Sequence, residues 1–581
     1  MNLDLPPGPD GRRRRSPLAC DTCRERRTKC DGQRPKCSFC LARSKDCFYQ
    51  GPQDPPPSPL KVELTRIWTQ IERITVAVQG RSLPYLQLQS APLSGTAQRY
   101  QSPSGRDESL DFPFMILQSE AFMDLLRLDP SLSVQLEQWE RRKEMVSVDS
   151  SNVPIVMDDL HRASELLKAF AEHIHIWYPI LHADYTDEFI QAVTLFFPFS
   201  VQSCLSLLVL AIGCVVECDS IAQALWTRPE RRYIQAAMEM LPCVLEDSTH
   251  RSAQCLLLFA IYHLCCAQPC QAHDFVAMAS YKLQNSMMND FDAESDPMQL
   301  SILGNCFWSA LLIESELHVQ LDLVDSGIWN MSSFAPAPTA LETWTWAWGH
   351  SHDTTVHGNE HIHLYTPPAG SDPSYFMAEI AMRKMLQRCT WSFRTLSPGN
   401  HVYAPIMAAE LERQLEEWRQ LLPESLRFGI GSGRNSVSAP GSGSAQVAFL
   451  RTQYFAFKAS IYWSAVYEAI AAGSASAELL AHCRTFFDAY GEFAASAVAT
   501  ASVCKPNTWT LYTSIFTISM AALTALAEPC LLEVVPLSVA QGLELTVDAF
   551  NRITDVSPSL AKMGEILRER TLSLHGASAF S

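Results

Sequence analysis

The stretch that decides how this chain is organised runs from Ala19 to Gln50 and reads ACDTCRERRTKCDGQRPKCSFCLARSKDCFYQ. Its cysteines are Cys20, Cys23, Cys30, Cys37, Cys40 and Cys47, spaced C-x2-C-x6-C-x6-C-x2-C-x6-C. Cys20–Cys30 and Cys37–Cys47 are therefore two copies of one C-x2-C-x6-C pattern. Two residues between cysteines bring both sulfurs within reach of one tetrahedral metal, and zinc closes a structural site with four ligands. Two zinc ions need eight ligand positions, which six thiolates fill only if two sulfurs bridge. By the duplication, the bridges are the first members of each half, Cys20 and Cys37. The competing arrangement is one zinc held by the two C-x2-C pairs, which leaves the matched Cys30 and Cys47 without a purpose. A segment this short buries too little core to fold alone, so the metal supplies the folding free energy.

Outward from this unit, charge is unevenly placed. The 581 residues carry a net charge of -17. Between Gly11 and Cys47 there are twelve Arg and Lys against four Asp and Glu, a net +8 that leaves -25 for the rest. A small basic head on a large acidic body excludes a protein that coats nucleic acid uniformly. The chain has nineteen cysteines, an odd number, and it opens MNLDLPP without a stretch of signal-peptide character. The expectation is a reducing compartment, where clustered cysteines bind metal and scattered ones fill cores. Phe189–Val216 and Pro506–Ala527 lack charge for long enough to raise a membrane question. Their Ser, Thr, Gln and Pro content suits helices buried in a helical core, so no membrane is expected.

The cysteine spacing and its flanking residues resemble the fungal binuclear zinc cluster of transcription regulators. The matching positions are Ala19, the six cysteines, Arg24, Arg26, Arg27, Lys29, the Asp31-Gly32 turn, Pro35 and Tyr49. The resemblance implies two short helices around two zinc ions. It also implies that a CGG-type triplet is read by the basic pair before the third cysteine, here Arg26 and Arg27. The halves are chemically unequal. The first carries Arg24, Arg26, Arg27 and Lys29, the second only Arg43 and Lys45. The first helix is therefore expected to enter the major groove of double-stranded DNA, where guanidinium bonds guanine O6 and N7 in a bidentate way. Arg24, Lys29, Arg43 and Lys45 are expected on phosphates, which position the module without specifying sequence. Upstream, Arg12, Arg13, Arg14 and Arg15 form a basic run suited to nuclear import, a DNA-contacting arm, or both. The expected localisation is the nucleus.

The remaining organisation follows from composition and period. Residues 1–17 form a basic arm and 18–50 the zinc cluster. Residues 51–59 (GPQDPPPSP) form a stiff Pro-rich linker. Over 60–79, Leu60, Leu64, Ile67, Ile71, Ile74 and Val78 recur in steps of 4, 3, 4, 3, 4. That is the seam of a short coiled coil, so a homodimer is expected. The alternative is a helix packed on its own body. One half-site is a small contact, and two linked clusters bind far better together. Residues 80–112 read as a flexible linker.

From 113 to 575 helical periodicity dominates, and the fold class is all-α. Leu411, Leu415, Trp418 and Leu422 form a stripe closed by Pro423. Met157–Tyr178 reads as amphipathic with Leu160, Leu167, Phe170 and Ile174 inward, and Val447–Ile470 as an aromatic-rich helix. Phe170–Ile190, Cys306–Ser309 running into Glu314–Leu317, and Glu410–Phe428 resemble the middle homology domain of the same regulators. That resemblance implies a regulatory body that meets coactivators or corepressors. The histidines His350, His352, His357, His361 and His363 read as a solvated loop, and Gly429–Gly433 as a flexible insertion. Asp290, Asp292, Glu294 and Asp296 read as an acidic turn. No nucleophile–base pair or cofactor motif stands out, so no catalytic residue is assigned. The function expected is sequence-specific regulation of genes transcribed by RNA polymerase II. The alternatives are a helical metabolite-binding or enzyme-like protein, or a protein-interaction repressor, with the cluster as a localisation device.

Overall fold

The computed structural model describes residues 20, 22–23, 26, 28–31, 36–43, 45–47, 120–142, 160–182, 184–289, 297–321, 323–339, 344–348, 361–365, 374–396, 403–430 and 445–578. The basic arm, both linkers and the coiled-coil seam from Leu60 to Val78 lie outside them. The chain divides into two compact units, Met1–Ser102 and Pro103–Ser581.

In the first unit, the described residues centre on the six cysteines. Cys20, Cys23, Cys37 and Cys40 are fully buried, with Cys30, Phe39 and Cys47 packed against them. This core contains almost nothing but sulfur. The second half supplies one short helix, Ser38–Ala42, with Cys37 as its N-cap.

The second unit is helical because its apolar positions recur with helical period and serines stop and start the segments. Ser200, Ser220 and Ser476 cap Val201–Glu217, Ile221–Thr227 and Ala477–Ala501, each side chain accepting from the N–H three residues on. Val201–Glu217 is buried at every position from Val201 to Val216 except Gln202. It packs against Leu160–Phe170, Arg231–Glu239 and His250–Cys265. The closest approach is at Gly213, where a Cβ would sit 2.5 Å from the Leu166 carbonyl oxygen. Two helical hairpins dominate the rest: His250–Cys265 with Pro269–Asn289, and Ala445–Ala472 with Ala477–Ala501. Thr508–Leu526 packs among Ala477–Ala501, Leu537–Asn551 and Pro558–Ser578.

Most of both charge-poor runs is buried, although Leu195, Phe196 and Phe199 are exposed. Phe189–Val216 is not one element: the helix Tyr185–Thr194 ends, and the chain turns with Phe196 and Phe197 both at positive φ before Val201. Lys505–Leu526 is long and apolar enough to cross a membrane, and 83% of its apolar window is buried inside the unit. The stripe at Leu411, Leu415 and Leu422 is buried as expected, and so are Phe449, Tyr454, Phe457, Tyr462 and Trp463. Leu160 differs. It is 42% exposed at the start of Leu160–Phe170, whose buried side begins at Ala163. After Phe170 the helix widens into a π turn over Ala171–His175.

Among the described residues, one antiparallel ribbon interrupts the helices: Trp344–Trp348 (β1) pairs with His361–Tyr365 (β2), Trp344 opposite Tyr365 and Trp348 opposite His361. His361 and His363 are thus on a strand, not in a loop. His350, His352 and His357 lie outside the described residues, as does the acidic run Asp290–Asp296.

Candidate metal centre and nucleic-acid interface

The sequence repeat is also a repeat of backbone bonds, with a period of seventeen residues. The Cys20 N–H points at Cys30 Sγ (3.5 Å), and the Cys37 N–H at Cys47 Sγ (3.3 Å). Thr28 N–H donates to the Cys23 carbonyl and Lys45 N–H to the Cys40 carbonyl, both at 3.0 Å. Each half thus wraps its third cysteine back onto its first. The halves are tied by Thr22 Oγ1 donating to the Asp46 carbonyl (2.7 Å), and by Asp31, whose carboxylate accepts from Ser38 N–H (3.1 Å) and the Ser38 hydroxyl.

Sulfur geometry tests whether metal fits. A tetrahedral zinc with Zn–S of about 2.3 Å sets its sulfurs about 3.8 Å apart. Cys20–Cys37, Cys20–Cys40 and Cys23–Cys37 are each 3.7 Å apart, and Cys23–Cys40 4.0 Å. Two sets of four thiols gather within 4.8 Å: Cys20, Cys23, Cys30 and Cys37, and Cys20, Cys37, Cys40 and Cys47. Both sets contain Cys20 and Cys37, so two ions held by them would occupy tetrahedra that share an edge.

Crowding sets the chemistry of these thiols. Burial pushes Cys20 and Cys40 above the ordinary thiol range. At Cys37 the Cys40 N–H pulls downward, but burial and the neighbouring thiols prevail and push it up to about 12. Without metal the cluster keeps its protons, and a bound dication displaces them.

Around this sulfur core the basic side chains face out: Arg26, Lys29, Arg43 and Lys45 are all exposed. Arg26 N–H donates to the Thr22 carbonyl (3.3 Å), which continues the helical turn begun at Thr22 and Cys23. Arg26 and Arg43 are equivalent in the repeat but differ in setting. The Arg43 guanidinium lies 4.6 Å from the centroid of the Phe39 ring. The position equivalent to Phe39 in the first half is Thr22, which offers no ring. Arg24 and Arg27, like Arg12, Arg13, Arg14 and Arg15, lie outside the described residues. Sequence reasoning passed over Thr22, Ser38 and Phe39 as contributors, and named Asp31 only as part of a turn. Aligning the two halves seventeen residues apart would have exposed the Thr22–Phe39 difference.

The helical unit holds a buried polar cluster. Arg383 donates to Glu316 (2.6 Å) and lies 3.6 Å from Glu379, while the Gln453 amide donates to Glu379 (3.1 Å). Burial pushes the Glu379 carboxyl up, Arg383 opposes and Glu316 reinforces, and it settles at about 8. Among the described residues, Glu379 Oε2 and Arg383 Nε have no hydrogen-bond partner. Beside them is a small cavity lined by Trp177, Tyr178, Tyr375, Phe449 and Asn507. Its free volume is about 10 Å³, room for one water-sized group.

The family description that matches this chain is the fungal Zn(2)-Cys(6) binuclear cluster domain, over residues 18–56, a little beyond the expected end at 50. A protein of Aspergillus rugulosus named as transcription factor ecdB is 33% identical over 583 residues, 96% of this chain and 97% of its own length. An ABC-transporter-regulating transcription factor of Aspergillus oryzae is 50% identical over 40 residues, 7% of this chain and 4% of its own. The maltose fermentation regulatory protein MAL13 of Saccharomyces cerevisiae is 65% identical over 34 residues, 6% of this chain and 7% of its own. No solved structure matches.

Proposed function

The chain belongs to the fungal Zn(2)-Cys(6) binuclear cluster transcription factors, and on that premise we propose that it reads CGG-type half-sites in the nucleus as a homodimer. It is a DNA-binding transcription regulator, and its six-cysteine module holds two zinc ions. Family membership makes it a regulator and not a catalyst. The finer reading is that Cys20 and Cys37 bridge the ions, Arg26 and Arg27 contact base edges, and Arg24, Lys29, Arg43 and Lys45 contact phosphates. The coiled coil over 60–79 joins two modules, the Arg12–Arg15 run serves import or grips DNA, and the body over 113–575 receives coregulators.

The observation that carries the choice of reading half is the difference between two equivalent arginines. Arg43 stacks on Phe39 of its own helix, an arrangement that holds the guanidinium against the protein. Arg26, opposite Thr22, has no ring to compete with a guanine edge. Metal supports this by fixing two half-modules that have no apolar core, so the basic turn is presented rigidly.

The test is selection of duplexes from a random pool by the full-length, zinc-loaded protein, repeated after chelation. Enrichment of paired CGG-type triplets that vanishes with the zinc supports the reading. Arg27→Ala should cost about 1–3 kcal/mol of discrimination between cognate and scrambled duplexes, while Lys45→Ala weakens both alike and lowers the salt slope by about one. Equal effects of the two changes on both duplexes would contradict this division of roles.

A further inference from the structure

We propose that the turn Leu195–Phe199 docks an amphipathic helix of a partner protein, one whose apolar stripe is bordered by lysine or arginine. The inference rests on the reading that the helical body receives coregulators, and it supplies the place and the chemistry. The sequence there is Leu195-Phe196-Phe197-Pro198-Phe199, between the helices Tyr185–Thr194 and Val201–Glu217. Single exposed apolar side chains are ordinary on a protein surface. Here Leu195, Phe196 and Phe199 stand 57%, 66% and 68% exposed in one short turn.

The backbone is what displays them. Phe196 and Phe197 have φ of 56° and 53°, a left-handed conformation that is strained for a residue with a Cβ and rare for a ring. Among the described residues no other two neighbours share it. Phe197 turns inward, to 7% exposed, while Phe196 and Phe199 stay outside. Glycine would form this turn without strain, so rings held here at a cost point to something the rings meet.

Charge selects the partner. Arg251, at the start of His250–Cys265, is occupied by Glu188 (Nε to Oε2, 3.2 Å), and the Cys255 thiol donates to the Val201 carbonyl (3.5 Å), so this helix lies beside the turn. Leu241–Glu246 packs on the same helix and on Val201–Glu217. Lys282 is occupied by the Leu245 and Asp247 carbonyls (3.0 and 2.5 Å). Asp187 and Glu246 are exposed and have no ion-pair partner among the described residues. The aromatic turn is therefore bordered by exposed carboxylates. A second copy of this chain would bring carboxylate to carboxylate, and nucleic acid would be repelled. A helix with leucine along one stripe and lysine or arginine beside it complements both features.

The test uses the full-length, zinc-loaded chain without DNA. The probe is a fluorescein-labelled helix of roughly 18 residues with leucine along one stripe and lysine elsewhere, beside a copy with glutamate in place of lysine. Anisotropy should rise with the lysine peptide, and the glutamate peptide should bind about tenfold more weakly or worse. Phe196→Ser combined with Phe199→Ser leaves every charge in place and should weaken the lysine peptide about tenfold or more, which separates docking from general attraction to an acidic body. Phe196→Gly should weaken it too while raising the melting temperature by about 1–2 °C, because an exposed ring and a strained backbone go together. Undiminished binding by the double variant, equal binding of the two peptides, self-association that the double variant abolishes, or a lower melting temperature for Phe196→Gly would overturn the proposal. A reporter carrying duplexes selected by the full chain separates this surface from the reading beneath it. If the parent changes expression and the double variant does so equally, the turn fails and the coregulator reading stands. If the parent leaves expression unchanged, the coregulator reading fails and takes the proposal with it.

Discussion

Removing one cysteine at a time from the cluster should divide the six into two classes. Cys30 and Cys47 each belong to one set of four thiols, whereas Cys20 and Cys37 belong to both. Cys47→Ala leaves Cys20, Cys23, Cys30 and Cys37 complete, and Cys30→Ala leaves Cys20, Cys37, Cys40 and Cys47 complete. Each should retain one tightly bound zinc. Cys37→Ala leaves neither set complete. A structural zinc site is worth about 10–16 kcal/mol, so one thiolate in four carries roughly 3 kcal/mol, or about two orders of magnitude in affinity. Cys37→Ala imposes that loss on both ions at once. The assay is zinc content of the purified full-length variants after dialysis against a weak chelator, read by a colorimetric zinc dye. Two ions in the parent, one in Cys30→Ala and Cys47→Ala, and none in Cys20→Ala and Cys37→Ala is the expected pattern. A single zinc on the two C-x2-C pairs makes a different one, with Cys30→Ala and Cys47→Ala indistinguishable from the parent. That result would refute the shared edge.

Three further outcomes are expected. Loading the metal-free protein with zinc in weak buffer near pH 7 should release protons, because Cys20, Cys37 and Cys40 are held above the ordinary thiol range; zinc affinity should rise with pH, and a pH-independent affinity would contradict it. Gly213→Ala should destabilise the helical unit by about 1–3 kcal/mol, seen as a lower denaturation midpoint, since its Cβ would meet backbone at Leu166, not a side chain that can swing away. The Glu379 carboxyl is raised from 4.5 to about 8 in the folded protein by burial, opposed by Arg383 and reinforced by Glu316, so its contribution is complete below about pH 4.5 and is lost as pH climbs to 8; Glu379→Gln should flatten that part of the melting profile, and parallel profiles would refute the assignment.

The cluster was legible because metal coordination constrains spacing directly: Cys20 to Cys47 declare their geometry in the intervals between them. The stripe Leu411–Leu422 and the aromatic helix around Tyr454 were legible for a similar reason, since burial selects apolar residues at helical period. The ribbon was not, although Trp344-Thr345-Trp346-Ala347-Trp348 and His361-Ile362-His363-Leu364-Tyr365 both alternate. Two five-residue strands in a helical context give a weak local signal, and five clustered histidines drew the reading toward a loop. The site around Glu379 was invisible for a different reason. Trp177, Glu316, Glu379 and Asn507 come from four separate stretches of the chain, and only packing brings them together. The Thr22–Phe39 contrast lay in plain view, but its meaning depends on Arg43 actually turning back over the ring.

With Cys20 and Cys37 as the proposed bridges, the module would also act as a threshold device. A thiolate placed by one metal is already deprotonated and positioned for the other, so the second site is assembled by filling the first. In that arrangement the two sites load as a coupled pair, because each depends on two ligands that the other also holds. A chain built this way responds to falling zinc by switching off as a whole, and a partially stripped population is divided between molecules that read DNA and molecules that do not.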